Sequence, residues 1–158
     1  MKTVELAIPE GCNAIIGHSH FIKTVEDLYE TLAESGTALR FGIAFCEASG
    51  ERLVRSDGND EGLIEHAEKE AMKIGAGHTF VIFLKDGYPV SVLNRIKNVS
   101  EVCSVYTATS NPVEIVYVDT AHGRAIIGVA DGMRPLGIEK KEDKEKRKEF
   151  LRKIGYKR

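Results

Sequence analysis

The chain has 158 residues, 42% hydrophobic and 29% charged, with a formal net charge of −2, which is the composition of one globular domain able to bury roughly two thirds of its unfolded surface. No apolar run approaches the roughly 18 residues needed to span a membrane, no export signal precedes the first strand, and near-neutral charge gives no general case for nucleic acid binding. The reading is a cytoplasmic protein with neither membrane nor nucleic acid as partner. Cys12, Cys46 and Cys103 form no C-x-x-C pair and read as reduced core residues rather than zinc ligands.

Thr3 to Ile8 alternates Val4, Leu6 and Ile8 with Thr3, Glu5 and Ala7, the period of a half-exposed strand. The loop after it carries His18, Ser19 and His20. H-x-H is a spacing that metals use, but no third ligand follows, and a polar loop over a pocket is the plainer reading. Thr24 to Ser35 reads as an amphipathic helix with Thr24 at its N-cap and Val25, Leu28, Tyr29 and Leu32 along one stripe. Thr37 to Cys46 becomes almost continuously apolar, as a strand covered on both faces does. It leads into Glu47 and Ser49, a carboxylate and a hydroxyl where open α/β sheets place ligand-binding groups. ERLVRSDGND is a polar passage ending in a helix cap at Gly58-Asn59-Asp60. The helix runs through Leu63, Ile64, Ala67, Ala71 and Ile74 and stops at Gly75 and Gly77.

His78 then stands alone between those glycines and the strongly apolar strand Thr79 to Leu84. A short helix from Pro89 sets Asn94 and Lys97 three residues apart, where both can face one ligand. Val102 to Ala108 and Val113 to Val118, joined by Thr109-Ser-Asn-Pro112, read as a hairpin. Arg124 opens the strand Ala125 to Ala130 as a candidate anion contact. Glu142 to Ile154 reads as a helix with a basic solvated face and Phe150, Leu151 and Ile154 docked on the core. With no repeat, low-complexity stretch or linker, residues 1–158 read as a single α/β domain, a layered sandwich with a mixed β-sheet flanked by helices.

Neither a G-x-x-x-x-G-K-[ST] phosphate loop nor a G-x-G-x-x-G turn is present, so a P-loop kinase and a Rossmann dehydrogenase are both unsupported. A phosphate site would be assembled from Asn94, Lys97, Asn59 and Arg124 with backbone N–H groups near the glycines. The runs SHFIKTVEDLYE (19–30), FGIAFCEASG (41–50), RSDGNDE (55–61), IGAGHTFVIFL (74–84), PVSVLNRIKNVSEVC (89–103), ATSNPVE (108–114) and FLRKIGYK (150–157) resemble the adenosine-specific kinase family of archaea and thermophilic bacteria over essentially the whole chain.

The resemblance implies a compact α/β domain that forms trimers or larger homo-oligomers, binds adenosine or AMP, and carries a histidine able to hold a phosphoryl group. The AGH motif puts that role on His78, with His20 of SHF as second choice. Position 18 departs from the family form, which has glutamine there, so His18 is read as dispensable. The expected function is a phosphotransferase acting on adenosine with ATP as donor. The alternatives are a nonenzymatic AMP-binding or phosphohistidine-bearing sensor and, more remotely, a metal-dependent hydrolase built on His18 and His20. In the expected site Glu47 fixes the tautomer of His78, and Lys97, Asn94 and Asn59 meet the phosphoryl oxygens. Asp60, Ser49, His20, Lys23 and Arg124 complete the substrate-binding candidates. No resident metal is expected; magnesium would come with ATP, touched by Asp60 or Asp131. Phe21, Phe80 and Tyr88 are candidates for an adenine slot, and the family's distribution suggests a thermophilic source.

Overall fold

The β-branched and aromatic runs of the middle of the chain form one five-stranded sheet, seen in a computed structural model that describes residues 1–158. In chain order the elements are β1 (Lys2–Leu6), β2 (Asn13–Ser19), α1 (Thr24–Ala33), β3 (Arg40–Cys46), β4 (Val54–Gly58), α2 (Glu61–Ile74), β5 (Thr79–Lys85), α3 (Pro89–Lys97), β6 (Val102–Thr109), β7 (Val113–Asp119), β8 (Arg124–Asp131) and α4 (Lys141–Lys153). The large sheet has the order β4-β3-β5-β2-β6, and a three-stranded sheet has the order β1-β7-β8.

The α/β class stands, but the expected mixed sheet is corrected: every hydrogen-bonded pair in both sheets is antiparallel. The alternation of strands and helices misleads for a definite reason. Each helix returns the chain in the original direction, so β2 and β3, β4 and β5, and β5 and β6 run parallel. In each case one other strand is inserted between the two: β5, β3 and β2 respectively. Interleaved crossovers of this kind make an antiparallel sheet out of a β-α-β sequence.

Helices cover one face of the large sheet, and helix plus small sheet cover the other. On the first, Val25, Leu28 and Leu32 of α1 and Val92 and Ile96 of α3 pack on Ile15, Phe41, Ile43, Phe45, Phe80 and Ile82. On the second, Leu63, Ala67, Ala71 and Ile74 of α2, with Leu6, Val113 and Ile115, pack on Ala14, Ile16, Ala44, Val81 and Phe83. β5 sits at the centre of both, and Phe80 through Leu84 are fully buried. Burial on both faces explains why this strand is continuously apolar rather than alternating.

Other expectations change as well: the loop expected after the first strand contains β2, so His18 and Ser19 lie on a strand, and Thr24 is the first residue inside α1, its hydroxyl bonding the Phe21 carbonyl rather than capping the helix. The polar passage before α2 contains the edge strand β4, whose half-exposed side chains hide the strand signal. β6 and β7 are not a hairpin: β6 pairs with β2, whereas β7 pairs with β1 and β8 in the other sheet. The chain changes sheets at residues 110–112, where Asn111 donates to Asp131 and Thr107 bonds the same carboxylate. Cys103 is exposed because β6 is an edge strand, while Cys12 and Cys46 are buried. Finally, α4 buries no side chain, so Phe150 and Ile154 are not docked on the core.

Asn59 and Asp60, both proposed as ligand contacts, hold this framework together. The Asn59 side chain accepts from the Phe41 N–H and donates to the Leu39 carbonyl, each at 2.8 Å. Asp60 caps α2 by accepting from Leu63 N–H at 3.1 Å and pairs with Arg40 at 2.6 Å. Replacing Asn59 by alanine strands two backbone groups, so Asn59→Ala should cost about 2 kcal/mol in denaturant unfolding without weakening nucleotide binding. Unchanged stability with weakened binding would restore Asn59 to the site.

Candidate functional site

The end of the sheet that carries His78 is built by the termination of α2. Asp60 fixes the start of that helix, and Gly75 closes it in the left-handed conformation, φ 61°, donating to the Ala71 carbonyl. At Gly77 a Cβ atom would lie 2.9 Å from Ala48 Cβ, so only glycine lets the chain cross the β3 terminus this closely. His78 follows at φ 61°, an unusual region for a side chain with a Cβ. Its backbone bridges two strands: the N–H donates to the Cys46 carbonyl at 2.7 Å, and the carbonyl accepts from Ser19 N–H at 3.0 Å.

That backbone aims the imidazole at two other rings. His78 stacks on Phe45, with centroids 5.8 Å apart and planes at 13°. His18 meets it edge-on, with centroids 6.1 Å apart and planes at 80°. Both histidines are half-buried. Burial, and then the nearby charge of His78, hold the His18 imidazole below its usual proton affinity. A residue expected to be dispensable is therefore the titratable ring packed against the candidate nucleophile. Strand pairing predicts it once known, because His18 lies opposite Thr79; periodicity alone does not reveal which strands pair.

No hydrogen bond joins the other candidates to this ring, and its ring contacts are to Phe45 and His18. Glu47 accepts from Arg55 Nη2 at 2.8 Å and Nε at 3.2 Å, and no hydrogen bond joins it to His78. Ser49 is exposed in the following turn, at the same end of the sheet. Asn59 and Asp60 lie by Phe41 and Arg40, near the opposite end of β3 and roughly 17 Å from Cys46 at about 3.3 Å per residue. Asn94 and Lys97 are exposed on α3 without polar partners. His20 is exposed and bound through its backbone N–H to the Glu101 carbonyl. Lys23 pairs with Asp27 and Glu101, both at 3.1 Å. Glu101 was not singled out by sequence, yet its side chain is 4% exposed and its Oε2 has no hydrogen-bond partner.

Aromatic and acidic candidates also disperse. Phe80 is core, Phe21 is exposed in the left-handed region with φ 75°, and Tyr88 lies beyond the far end of β5 against Tyr156. They do not line one slot. Asp131 is engaged by Thr107 and Asn111, and no three His, Cys, Asp or Glu side chains come together as metal ligands.

Beside His78, on the α2 side of the sheet, is a cleft of about 520 Å³. Its walls come from the β3 end (Cys46, Glu47), the α2 end (Gly75, Gly77) and the β7–β8 turn (His122, Arg124). Gly77 lines the cleft, whereas the His78 ring turns to Phe45 on the opposite face of the sheet. Burial pushes the Cys46 thiol up to about 11, which removes it as a thiolate nucleophile at neutral pH. Arg124 is held in place by the helix it faces. It donates to the Ile74 carbonyl at 2.8 Å and to Asp119 at 2.9 Å, and its guanidinium lies 3.9 Å from the centre of the Tyr117 ring. Its charge serves the α2 terminus first.

The His18–His78 contact has a measurable consequence. His18 should titrate below its usual 6.5, and its midpoint should rise in His78→Gln when followed by NMR. An unchanged midpoint would show that the rings are not electrically coupled. Because the folded affinity is the lower one, the unfolded chain takes up the proton first as pH falls. Stability should therefore be lost from about 6.5 down to the His18 midpoint, and His18→Gln should remove that part of the acid sensitivity.

Comparison with known proteins agrees with this architecture. Residues 4–157 match the family described as adenosine specific kinase. The crystal structure of the PH1918 protein from Pyrococcus horikoshii OT3 is 45% identical, with a TM-score of 0.95 over 99% of this chain and 97% of that one. No curated protein matches the chain, and no helix is long and apolar enough to cross a membrane. The chain belongs to the adenosine-specific kinase family.

Proposed function

We propose that the protein transfers a phosphoryl group from ATP to adenosine, with His78 carrying the group between them. The observation that carries this reading is the placement of His78 on a rigid strand end, stacked on Phe45 and facing His18 at 6.1 Å, in a chain of this family. A neutral imidazole nitrogen attacks the γ-phosphorus of ATP, the bond to the ADP oxygen breaks, and ADP leaves. The 5′-hydroxyl of adenosine then attacks the phosphorus, the N–P bond breaks, AMP forms and His78 returns to its neutral state. A loose phosphoryl transition state makes little demand on a base, so the hydroxyl proton can pass to water or to neutral His18.

The remaining groups take supporting parts. The cleft beside Gly77 opens on the other face of the sheet from the His78 ring, so the acceptor adenosine is placed on the Phe45 side with the ring. Lys97 has no ionic partner of its own, so its ammonium is free to meet the phosphates of ATP, with Asn94 one turn away. Magnesium enters as part of the ATP complex. Glu47 acts through Arg55, whose guanidinium it holds beside the cleft.

Incubation with ATP and adenosine should yield ADP and AMP, and His78→Ala should lower the rate by at least about 100-fold while leaving the circular dichroism spectrum unchanged. His18→Gln should lose less, since the resembling sequences carry glutamine there. No AMP from folded protein would overturn the enzymatic reading in favour of a sensor, and undiminished AMP from His78→Ala would remove His78 from the reaction.

A further inference from the structure

Phosphoryl transfer makes no use of the cleft on the α2 face, because the His78 ring and its Phe45 neighbour lie on the other face of the sheet. The cleft has a largely apolar lining. Val54, Ala71 and Ala76 contribute to it, and so do Leu53 and Met72, which are 48% and 67% exposed. Large apolar side chains held in solvent around a concavity mark a contact surface. Polar side chains among the lining are already engaged. The Cys46 thiol donates to the Ala71 carbonyl, and the Thr120 hydroxyl donates to the Gly123 carbonyl while accepting from the His122 and Gly123 N–H groups. No side-chain amide lines the cleft, so its walls suit an apolar body better than the hydrogen-bonding edge of a purine.

Charge at the cleft has the opposite sign to that of the body. From Lys140 to Arg158 ten cations face four carboxylates, an excess of six, so a net charge of −2 leaves residues 1–139 with an excess of eight negative charges. Within this acidic body the cleft is lined by two arginines, Arg52 and Arg124, and by one carboxylate, Glu47, which Arg55 engages at 2.8 Å. Arg124 is held from three sides by the α2 carbonyls, Asp119 and the Tyr117 ring, and its Nη2 takes part in none of these hydrogen bonds. The same bonds cover the Lys73 and Ile74 carbonyls, the negative helix end that would otherwise repel an anion. Arg52 is exposed and has no ionic partner. Its backbone stands at φ 54°, a region that few residues with a Cβ adopt.

We propose that this cleft binds a small organic acid, whose carboxylate or phosphate head is met by Arg52 and Arg124 and whose uncharged apolar body rests on Leu53, Met72 and Ala76. A volume of about 520 Å³ is that of a metabolite-sized site. Guanidinium groups match the planar or multidentate geometry of such a head, and Arg124 is ordered before the ligand arrives, so its immobilisation adds little to the cost of binding. The site backs onto the phosphoryl-transfer end of the sheet, since Gly77 lines it and the next residue is His78. Ligand and imidazole nevertheless occupy opposite faces, and binding here does not depend on His78 carrying a phosphoryl group.

The aryl sulfonate 8-anilinonaphthalene-1-sulfonate, which fluoresces on apolar contact, should bind the full-length protein saturably. Arg52→Gly, which the left-handed backbone at this position accommodates, should weaken that binding about tenfold through loss of a charge-assisted hydrogen bond. Met72→Glu, at an exposed position, should weaken it at least as much, and neither variant should change the far-ultraviolet circular dichroism spectrum. Phenyl phosphate and 3-phenylpropionate should displace the probe from the wild type, and the stronger of the two tells a phosphate from a carboxylate head. Benzyl alcohol and adenosine, which carry no charge, should not displace it. Probe binding that is undiminished in both variants overturns the proposal. Displacement by benzyl alcohol as effective as by the two acids removes the role of the arginines, and displacement by adenosine makes the cleft a nucleoside site; either result also overturns it.

Discussion

The backbone of His78 does what no side chain at this end of the sheet could do. By donating to the Cys46 carbonyl and accepting from Ser19 N–H, it joins β3 to β2 across the mouth of β5, the strand inserted between them. The residue adopts φ 61° to reach both, a conformation that costs on the order of 1 kcal/mol for a residue with a Cβ. Gly75 and Gly77 let α2 end directly against this turn, and β5 beyond it is buried on both faces. A ring fixed to such a backbone has little freedom to move. It is held on Phe45 and beside His18 by the same bonds that close the sheet.

Much of the fold can be read from local patterns because local physics fixes those parts. The apolar continuity of residues 79–84, the cap at Asp60 and the glycines after Ile74 each specify a piece of backbone, and the structure contains all three. Neighbour relations are set elsewhere. Nothing within β2, α1 and β3 says that β5 will come between the two strands, because that choice depends on the packing of both sheet faces at once. For the same reason the turn at Asn111 and Pro112, a plausible hairpin turn by composition, serves instead to pass the chain from one sheet to the other.

The candidate site divides along the same line. His78 stands out as a candidate because a histidine between a glycine-ended helix and a buried strand is unusual, and the family's AGH motif falls on it. Asn59, Asp60 and Arg124 were attractive for the same property that occupies them structurally: polar groups at element ends satisfy backbone donors and acceptors. His18 was read as dispensable and Glu101 was not singled out, for the converse reason. One is brought beside His78 by a strand pairing and the other is buried beneath Lys23, and neither placement is a property of the surrounding sequence.

The central claim is that His78 itself carries the phosphoryl group, and intact mass measurement after incubation with ATP tests it most directly. The account predicts an increment of one phosphoryl group that disappears on mild acid treatment, as a phosphoramidate should, and that is absent in His78→Ala. An increment that survives acid, or one that persists without His78, would contradict it.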